Sequence, residues 1–436
     1  MSARSRIGIG LGLCAMVSLL GSNVVSAAED APGLWKTLGF QIRGGVSASY
    51  NHNFNNPNTN LSQLRTHDAN TNTFTPNLAQ VILERPAVAS GDAADRVGFR
   101  ARLNFGPDAR VSRARTNFLP GTDNNEMDFQ ELYAEYIAPI GNGLKIGFGK
   151  FNTALGNETF ASWENPNFSR TFNYNLSQAF TNTGVRLTYV INPMATLLFG
   201  AYNGWDNIED NNRGKMVEGA LTLTNLNGRL VNYFYVSYSP EQSNGRGGAG
   251  VFGATGGIAQ SATSQFCATP GAPFCDSTAK RLVFDYILTA QLTDKDTFIL
   301  EATYWNESNA GFNPAIATGR APNQRVNSVI GYLNHNFNDQ WALNSRAELF
   351  EDAGGSRTCT GGVNFNGGNN TCATSLAFGT PQTLQSYTFT LQYKPAPALI
   401  TRTEFRHDIS NKDAFLHGQR AVDNQSTLAF NVVYLF

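Results

Sequence analysis

Several protein classes are excluded by what this sequence has little of. Charged residues occupy only 15% of its 436 positions, against roughly a quarter in ordinary soluble domains. Formal net charge is -1, and without basic clustering the electrostatic footprint of a nucleic-acid-binding chain is missing. No internal apolar run reaches about 18 residues, the length at which a stretch reads as a membrane helix. That excludes a helical membrane protein. Histidine and cysteine number five each, and no paired C-x-x-C occurs, so neither a metal site nor a cofactor is expected. G-x-S-x-G, a Walker loop, H-E-x-x-H and a dinucleotide fingerprint are all absent. His407 and Asp408 are adjacent, but neighbours on a strand point to opposite faces. No catalytic residue is assigned, and an enzyme is not expected.

What is present is aromatic and small. The chain carries 30 phenylalanines, 15 tyrosines and 42 glycines against 5 methionines, too many aromatics for a disordered chain. Mean hydropathy is nevertheless -0.27. The combination describes a large, polar-looking, aromatic-rich β protein.

The first residues read as a processing signal. Arg4 and Arg6 precede an apolar stretch from Ile7 to Leu20, and SNVVSAA ends in small residues suited to cleavage after Ala27 or Ala28. Residues 1–28 are therefore expected to be a signal peptide and 29–436 the mature, exported domain. Cys14 falls within the signal. The remaining cysteines form two local pairs, Cys267 with Cys275 and Cys359 with Cys372, each closing a short segment rich in small and polar residues. An even count in an exported chain favours disulfides.

Strand periodicity is the main evidence. In GFQIRGGVSASYN, Phe40, Ile42, Val46, Ala48 and Tyr50 share one face, with Gln41, Arg43, Ser47, Ser49 and Asn51 on the other. RVGFRARLNFG repeats the pattern, setting Val97, Phe99, Ala101, Leu103 and Phe105 against Arg96, Arg100, Arg102 and Asn104. A soluble sandwich also alternates, so the connections decide. Short links at Pro139 to Gly143, Asn192 to Pro193, Asn227 to Gly228, Thr293 to Lys295, Asn338 to Asp339 and Pro395 to Pro397 alternate with long ones near 153–181, 206–214, 240–279, 308–324, 351–382 and 410–423. That asymmetry predicts a transmembrane antiparallel β-barrel with short periplasmic turns and long extracellular loops.

Sixteen strands are expected, at 39–53, 78–85, 95–106, 128–138, 144–151, 183–191, 195–205, 216–226, 228–239, 281–292, 296–306, 325–335, 340–350, 383–394, 398–408 and 425–436, with fourteen or eighteen as the neighbouring solutions. An even number puts both termini on the periplasmic side and lets the first and last strands pair antiparallel, leaving no edge in lipid. The terminal strand QSTLAFNVVYLF sets Leu428, Phe430, Val432, Tyr434 and Phe436 on one side, and it resembles the assembly signature that outer-membrane barrels present to the barrel-assembly machinery.

With apolar faces toward lipid, Arg43, Arg96, Arg100, Arg102, Arg186, Asp285, Glu301, Arg346, Glu348, Arg402, Glu404, Arg406 and Asp408 face the lumen or its rims. A hydrated lumen keeps such charges soluble and lets them sort small solutes; the plainer reading is that facing Arg and Glu brace neighbouring strands. The segment TALGNETFASWENPNFSRTFNYNLSQAF contains Glu158, Trp163, Glu164, Phe168, Arg170, Phe172 and Tyr174. Its length and mixed character make it the constriction candidate, with an exposed cap as the alternative. GWDNIEDNNRGK concentrates Asp206, Asn207, Glu209, Asp210, Asn211 and Asn212, but calcium-loop spacing is absent and turn chemistry is favoured.

Three stretches carry a family resemblance: FQELYAEYIAPIGNGLKIGFGKF, ENPNFSRTFNY with TNTGVRLTY, and AYNGWDNIEDNNRGK. The chain is similar over nearly its whole mature length to the beta-barrel porin-2 (OmpL-like) family. Asn203, Gly204, Trp205, Asp206, Asn211, Asn212, Gly214 and Lys215 match its pattern, which departs at Asn182, where a histidine often stands. The resemblance implies an outer-membrane porin and brings no catalytic residue with it. The expected activity is passive diffusion of small hydrophilic solutes or ions, with a structural or interaction barrel, a sheath for a periplasmic partner or a surface-binding protein, as the alternative. Expected surroundings are outer-membrane lipid and lipopolysaccharide, with a homotrimer as the assembly.

Overall fold

The computed structural model describes residues 39–112 apart from 91, 126–241 apart from 211 and 213, 279–308, 323–358 apart from 356, and 381–436. Residues 1–28 and Cys267, Cys275, Cys359 and Cys372 lie outside them.

The chain forms β1 (Gln41–Asn53), β2 (Thr73–Arg85), β3 (Val97–Phe105), β4 (Met127–Ala138), β5 (Leu144–Asn152), β6 (Thr181–Asn192), β7 (Ala195–Trp205), β8 (Met216–Asn225), β9 (Leu230–Pro240), β10 (Lys280–Gln291), β11 (Asp296–Glu307), β12 (Gln324–Asn336), β13 (Trp341–Asp352), β14 (Gln382–Ala396) and β15 (Leu399–Ser410). A small hairpin, β16 (Phe415–His417) and β17 (Arg420–Val422), precedes β18 (Asn424–Leu435). Sixteen of these strands, all except β16 and β17, close into one antiparallel barrel in which each pairs with its sequence neighbour and β1 pairs with β18. All sixteen expected strands are present.

Period-two alternation is what closes the sheet this way. On β18, Leu428, Phe430 and Tyr434 are exposed while Thr427, Asn431 and Val433 are buried. The same holds around the ring, where exposed positions include Phe74, Phe148, Phe199, Phe234, Phe284 and Phe389. So continuous an apolar outer face would be a severe liability in water and is what lipid solvates. Polar and charged side chains take the inner face.

One boundary differs from the expectation. Strand β2 starts at Thr73 rather than 78, and the β1–β2 register skips between Ser47 and Ser49, leaving Pro76 and Asn77 outside the ladder. Proline has no N–H to give a ladder, so the bulge is what lets the strand continue through it.

The two barrel ends are unlike. Links 139–143, 193–194, 226–229, 292–295, 337–340 and 397–398 are tight, and 86–96 is the longest at that end, which also carries both ends of the barrel. Gly44 and Phe436 exchange backbone hydrogen bonds of 2.8 and 3.0 Å there. A Cβ on Gly44 would lie 2.1 Å from the Gln80 carbonyl oxygen of β2 and 2.7 Å from the Phe436 ring, so glycine is required where β1 sits between β2 and the terminal aromatic. The opposite end carries the long connections; among the described residues 54–72 and 153–180 turn inward, and Val111 and Phe415 of two others pack against them.

Candidate functional site in the barrel lumen

The segment 153–180 leaves the wall at the end of β5 and returns at β6. Its base is pinned: Thr153 N–H donates to the Phe180 carbonyl at 3.0 Å, and Asp206 accepts the N–H groups of Phe180 and Thr181 at 2.8 and 2.9 Å. Between these points it contains only the single turn Ser162–Glu164 and the short helix Phe172–Ser177. Most of its backbone N–H and C=O groups therefore have no partner within the segment, and burying them unpaired would be costly.

The inner wall supplies those partners. Glu404 on β15 accepts the N–H groups of Phe168 and Ser169 at 2.6 and 3.0 Å. Glu348 on β13 accepts those of Phe172 and Asn173 at 2.8 and 2.7 Å, placing a carboxylate at a helix start, where the exposed N–H groups favour negative charge. Arg402 donates to the Ser162 and Asn165 carbonyls at 2.7 and 2.9 Å. Arg406 donates to the Arg170 carbonyl at 2.5 Å, and Arg346 to that of Ser169 at 2.7 Å. Carboxylates thus meet amide donors and guanidinium groups meet carbonyls. Asn173 reaches Glu301 and Thr303 on β11, and Tyr233 on β9 donates to Ala154. The segment touches the wall from β9 round to β1, where Ser162 and Ser47 hydroxyls meet.

Ion pairs fix the same geometry. Arg346 meets Glu158 of the segment at 2.6 Å with both side chains almost wholly buried. A buried ion survives only when paired and hydrogen-bonded, and Glu158 additionally accepts from the Thr171 N–H and hydroxyl. On the opposite wall a relay runs from Arg43 to Glu84 (2.9 Å), Arg100 (3.3 Å), Glu131 (3.0 Å), Arg102 (2.8 Å) and Glu164 of the segment (3.3 Å).

The 54–72 connection packs beside it. Arg65 bridges Asp68 at 2.8 Å and Asp408 at 2.6 Å, and Asp408 also takes Arg406 at 2.7 Å. His67 lies among the rings of Phe160, Tyr174 and Phe180, with no hydrogen-bond partner for Nε2. Burial, and then the charge of Arg170, hold its imidazole well below the usual histidine range. Nearby Asp108 is pushed by burial up to about 7 against the opposing pull of Arg170.

The sequence-predicted residues fall into two groups. Glu158, Arg170, Asp285, Glu301, Arg346, Glu348, Arg402, Glu404, Arg406 and Arg102 are buried, and most are engaged with the inserted segment. The second group is partly accessible. Side chains of Arg43 and Glu164 are 31% and 26% accessible, those of Arg100 and Arg186 16% and 13%, and Arg96 lies half-buried at the short-turn rim. Arg186 stacks on Phe151 and donates to the Tyr202 hydroxyl. Partly accessible inward charges that the sequence reading did not single out are Glu135, Lys145 and Lys394, with Glu84 buried beside Arg43; alternation on their strands is the signal that finds them. Arg65 and Asp68 were also missed, because nothing in the sequence connects a loop residue to Asp408 across the barrel.

The inward face is not uniformly polar. Leu64, Leu155, Phe172, Leu176, Trp305, Phe350 and Phe415 belong to an apolar cluster that joins both inward segments to the wall. The 206–214 region is built by turn chemistry: Asp210 pairs with Lys215, and Asn212 accepts from Gly214 N–H. Among the described residues no cluster of His, Cys, Asp and Glu could hold a metal ion.

A closed barrel with an apolar exterior, a charged interior and an inward connection matches one known sequence family, described as Putative beta-barrel porin-2, OmpL-like, over residues 39–436. The chain belongs to that family. This porin-2 member sits in the outer membrane as a multi-pass β-barrel, and its fold is that of solved porins. The outer-membrane channel DcaP of Acinetobacter baumannii is 12% identical, with 91% of this chain and 97% of that one covered and a TM-score of 0.53. OprB of Pseudomonas putida, at high pH, is 12% identical with coverages of 92% and 96% and a TM-score of 0.53. An anion-selective porin from Comamonas acidovorans is 8% identical with coverages of 91% and 99% and a TM-score of 0.52. At such identities the likeness is one of fold. No curated protein matches the chain.

Proposed function

We propose that this porin-2 member passes small hydrophilic solutes or ions down their gradients, and that segment 153–180 is its constriction. The observation that carries the reading is that segment, bonded to the wall from β9 round to β1 by charged side chains on both sides. A solute then moves along the accessible wall of β1 to β6, past Arg43, Arg100, Lys145 and Arg186 with Glu135 and Glu164. Buried charges anchor; accessible ones meet the solute. The proposal places both termini in the periplasm and the long connections outside the cell, and it includes a homotrimer, checked by chemical cross-linking in detergent.

Planar-bilayer recording of the purified mature protein tests the activity. Discrete open steps are expected. Their persistent absence favours the structural or interaction barrel.

A further inference from the structure

Two carboxylates on the inner wall lack a cation. Asp285 on β10 and Glu301 on β11 are both buried, and neither makes an ion pair among the described residues; Arg346 is committed to Glu158. Neutral donors hold them instead. Asp285 accepts from the Thr303 hydroxyl at 2.6 Å and from the Gly156 N–H. Glu301 accepts from the side-chain amides of Asn173 and Gln178 at 2.9 and 3.1 Å, and from the Asn157 N–H. Asn173 Nδ2 also reaches Thr303 Oγ1 at 2.8 Å, so one amide nitrogen joins the surroundings of both carboxylates. All these contacts are donated to the carboxylates, which suits them as anions. Two buried negative charges nevertheless need positive charge close by.

Oxygen atoms without partners mark where that charge belongs. Asp285 Oδ2, Gln178 Oε1 and Ser328 Oγ have no hydrogen-bond partner, and all three residues are more than nine-tenths buried. Register sets Asp285, Thr303 and Ser328 side by side on β10, β11 and β12. Gln178 closes the group from the inserted segment: a Cβ built on Gly156, whose N–H serves Asp285, would fall 2.4 Å from Gln178 Oε1. Glycine at 156 is therefore what lets the Gln178 carbonyl lie over the turn that faces Asp285. The group offers two carboxylates, an amide carbonyl and a hydroxyl. It is short of the three His, Cys, Asp or Glu ligands that would mark a metal centre by residue type alone; neutral oxygens complete it.

We propose that Asp285, Glu301, Gln178 and Ser328 bind one calcium ion, which fastens segment 153–180 to β10, β11 and β12. Two carboxylates match a divalent charge, and oxygen-only ligands match a hard cation. A set drawn from three strands and a loop suits the variable coordination of calcium better than the strict octahedron of magnesium, with water supplying the remaining positions. The site needs the inserted segment and does not depend on whether the lumen conducts.

Terbium, which replaces calcium and luminesces when a nearby tyrosine is excited, tests it. Tyr332, whose hydroxyl lies 3.5 Å from Glu301, is placed to sensitise the ion. The mature protein, folded in detergent and stripped with EGTA, is titrated with terbium near neutral pH and then with calcium as competitor. Wild type should take up one ion per chain, displaced by calcium far more readily than by magnesium. Asp285→Asn should weaken binding at least tenfold, and Ser328→Ala, a smaller change on the same row, at least threefold. Glu209→Gln/Asp210→Asn, in the acidic 206–214 turn, should leave binding unchanged, and a heat-modifiable band on a gel reports that each variant has folded. EGTA should speed proteolysis within 153–180 in wild type but not in Asp285→Asn. Absence of a calcium-displaceable signal from wild type would mean that protons neutralise the pair, and overturns the proposal. So does binding that survives Asp285→Asn, or that is lost in the 206–214 variant. A barrel that binds calcium at Asp285 but never conducts would sink the porin reading and leave this one standing.

Discussion

Glu348, on the inner wall at β13, accepts the backbone N–H of Phe172, the first residue of the helix Phe172–Ser177, at 2.8 Å. The neighbouring N–H of Asn173 goes to the same carboxylate, and Glu404 serves Phe168 and Ser169 in the same manner. Glu348→Gln and Glu404→Gln keep the shape and remove the charge. Hydrogen bonds to charged groups contribute about 1.5–3 kcal/mol each, so the double variant should loosen the segment while the barrel stays closed. Limited proteolysis should then cut within 153–180 at least tenfold faster than in wild type.

Arg346 and Glu158 form a pair in which removing either partner strands the other. Arg346→Ala leaves the Glu158 carboxylate buried without its cation, a change that costs about 3–5 kcal/mol. Arg346→Ala with Glu158→Gln should recover part of that loss. Urea unfolding of the four-member cycle measures the coupling, and additive losses would contradict a direct pair.

Acid should release the 54–72 connection. His67 is buried among aromatic rings and its imidazole is held below the ordinary value of 6.5. The undocked state therefore binds the proton more readily, and the stability contributed by docking is fully present above pH 6.5 and declines as pH falls below it. Asp108, pushed up to about 7, works in the opposite sense, because the docked state holds its proton and loses stability as pH rises toward 7. Comparing wild type with His67→Gln isolates the histidine. Protection factors of residues 54–72, corrected for the slower intrinsic exchange in acid, should fall on going from pH 7 to 5 in wild type and less in the variant.

The accessible wall predicts ion preference. Arg43, Arg100, Lys145 and Arg186 outnumber Glu135 and Glu164 there, so a mild preference for anions is expected. Reversal potential in a tenfold KCl gradient measures it. Arg43→Glu with Lys145→Glu should move it toward cation preference, whereas Arg406→Gln, buried behind the segment, should change it far less.

Legibility in the sequence followed the physics. The barrel was readable because lipid outside and polar groups inside impose period two on every strand, and because tight turns such as Pro139 to Gly143 alternate with long connections. Strand β2 was read short because Pro76 sits in a bulge whose register depends on β1. Alternation separates charged positions such as Glu348 and Glu404 from the lipid-facing ones, but what those charges bind is not legible in it. Whether Glu404 meets solvent or two backbone amides depends on where 153–180 lies, and no local pattern reports a contact with Phe168. Arg65 with Asp408 is the extreme case, a loop and a strand joined only by barrel closure.

The central claim is that the inserted segment sets the width of the path. Thr153 and Phe180 are hydrogen-bonded at its base, so residues 157–177 can be replaced by a short Gly/Ser linker without straining β5 and β6. Single-channel conductance of that variant beside wild type, in the same salt, is the direct measurement. A several-fold larger step, with passage of solutes that wild type excludes, is predicted; an unchanged step and an unchanged solute cutoff would contradict the account.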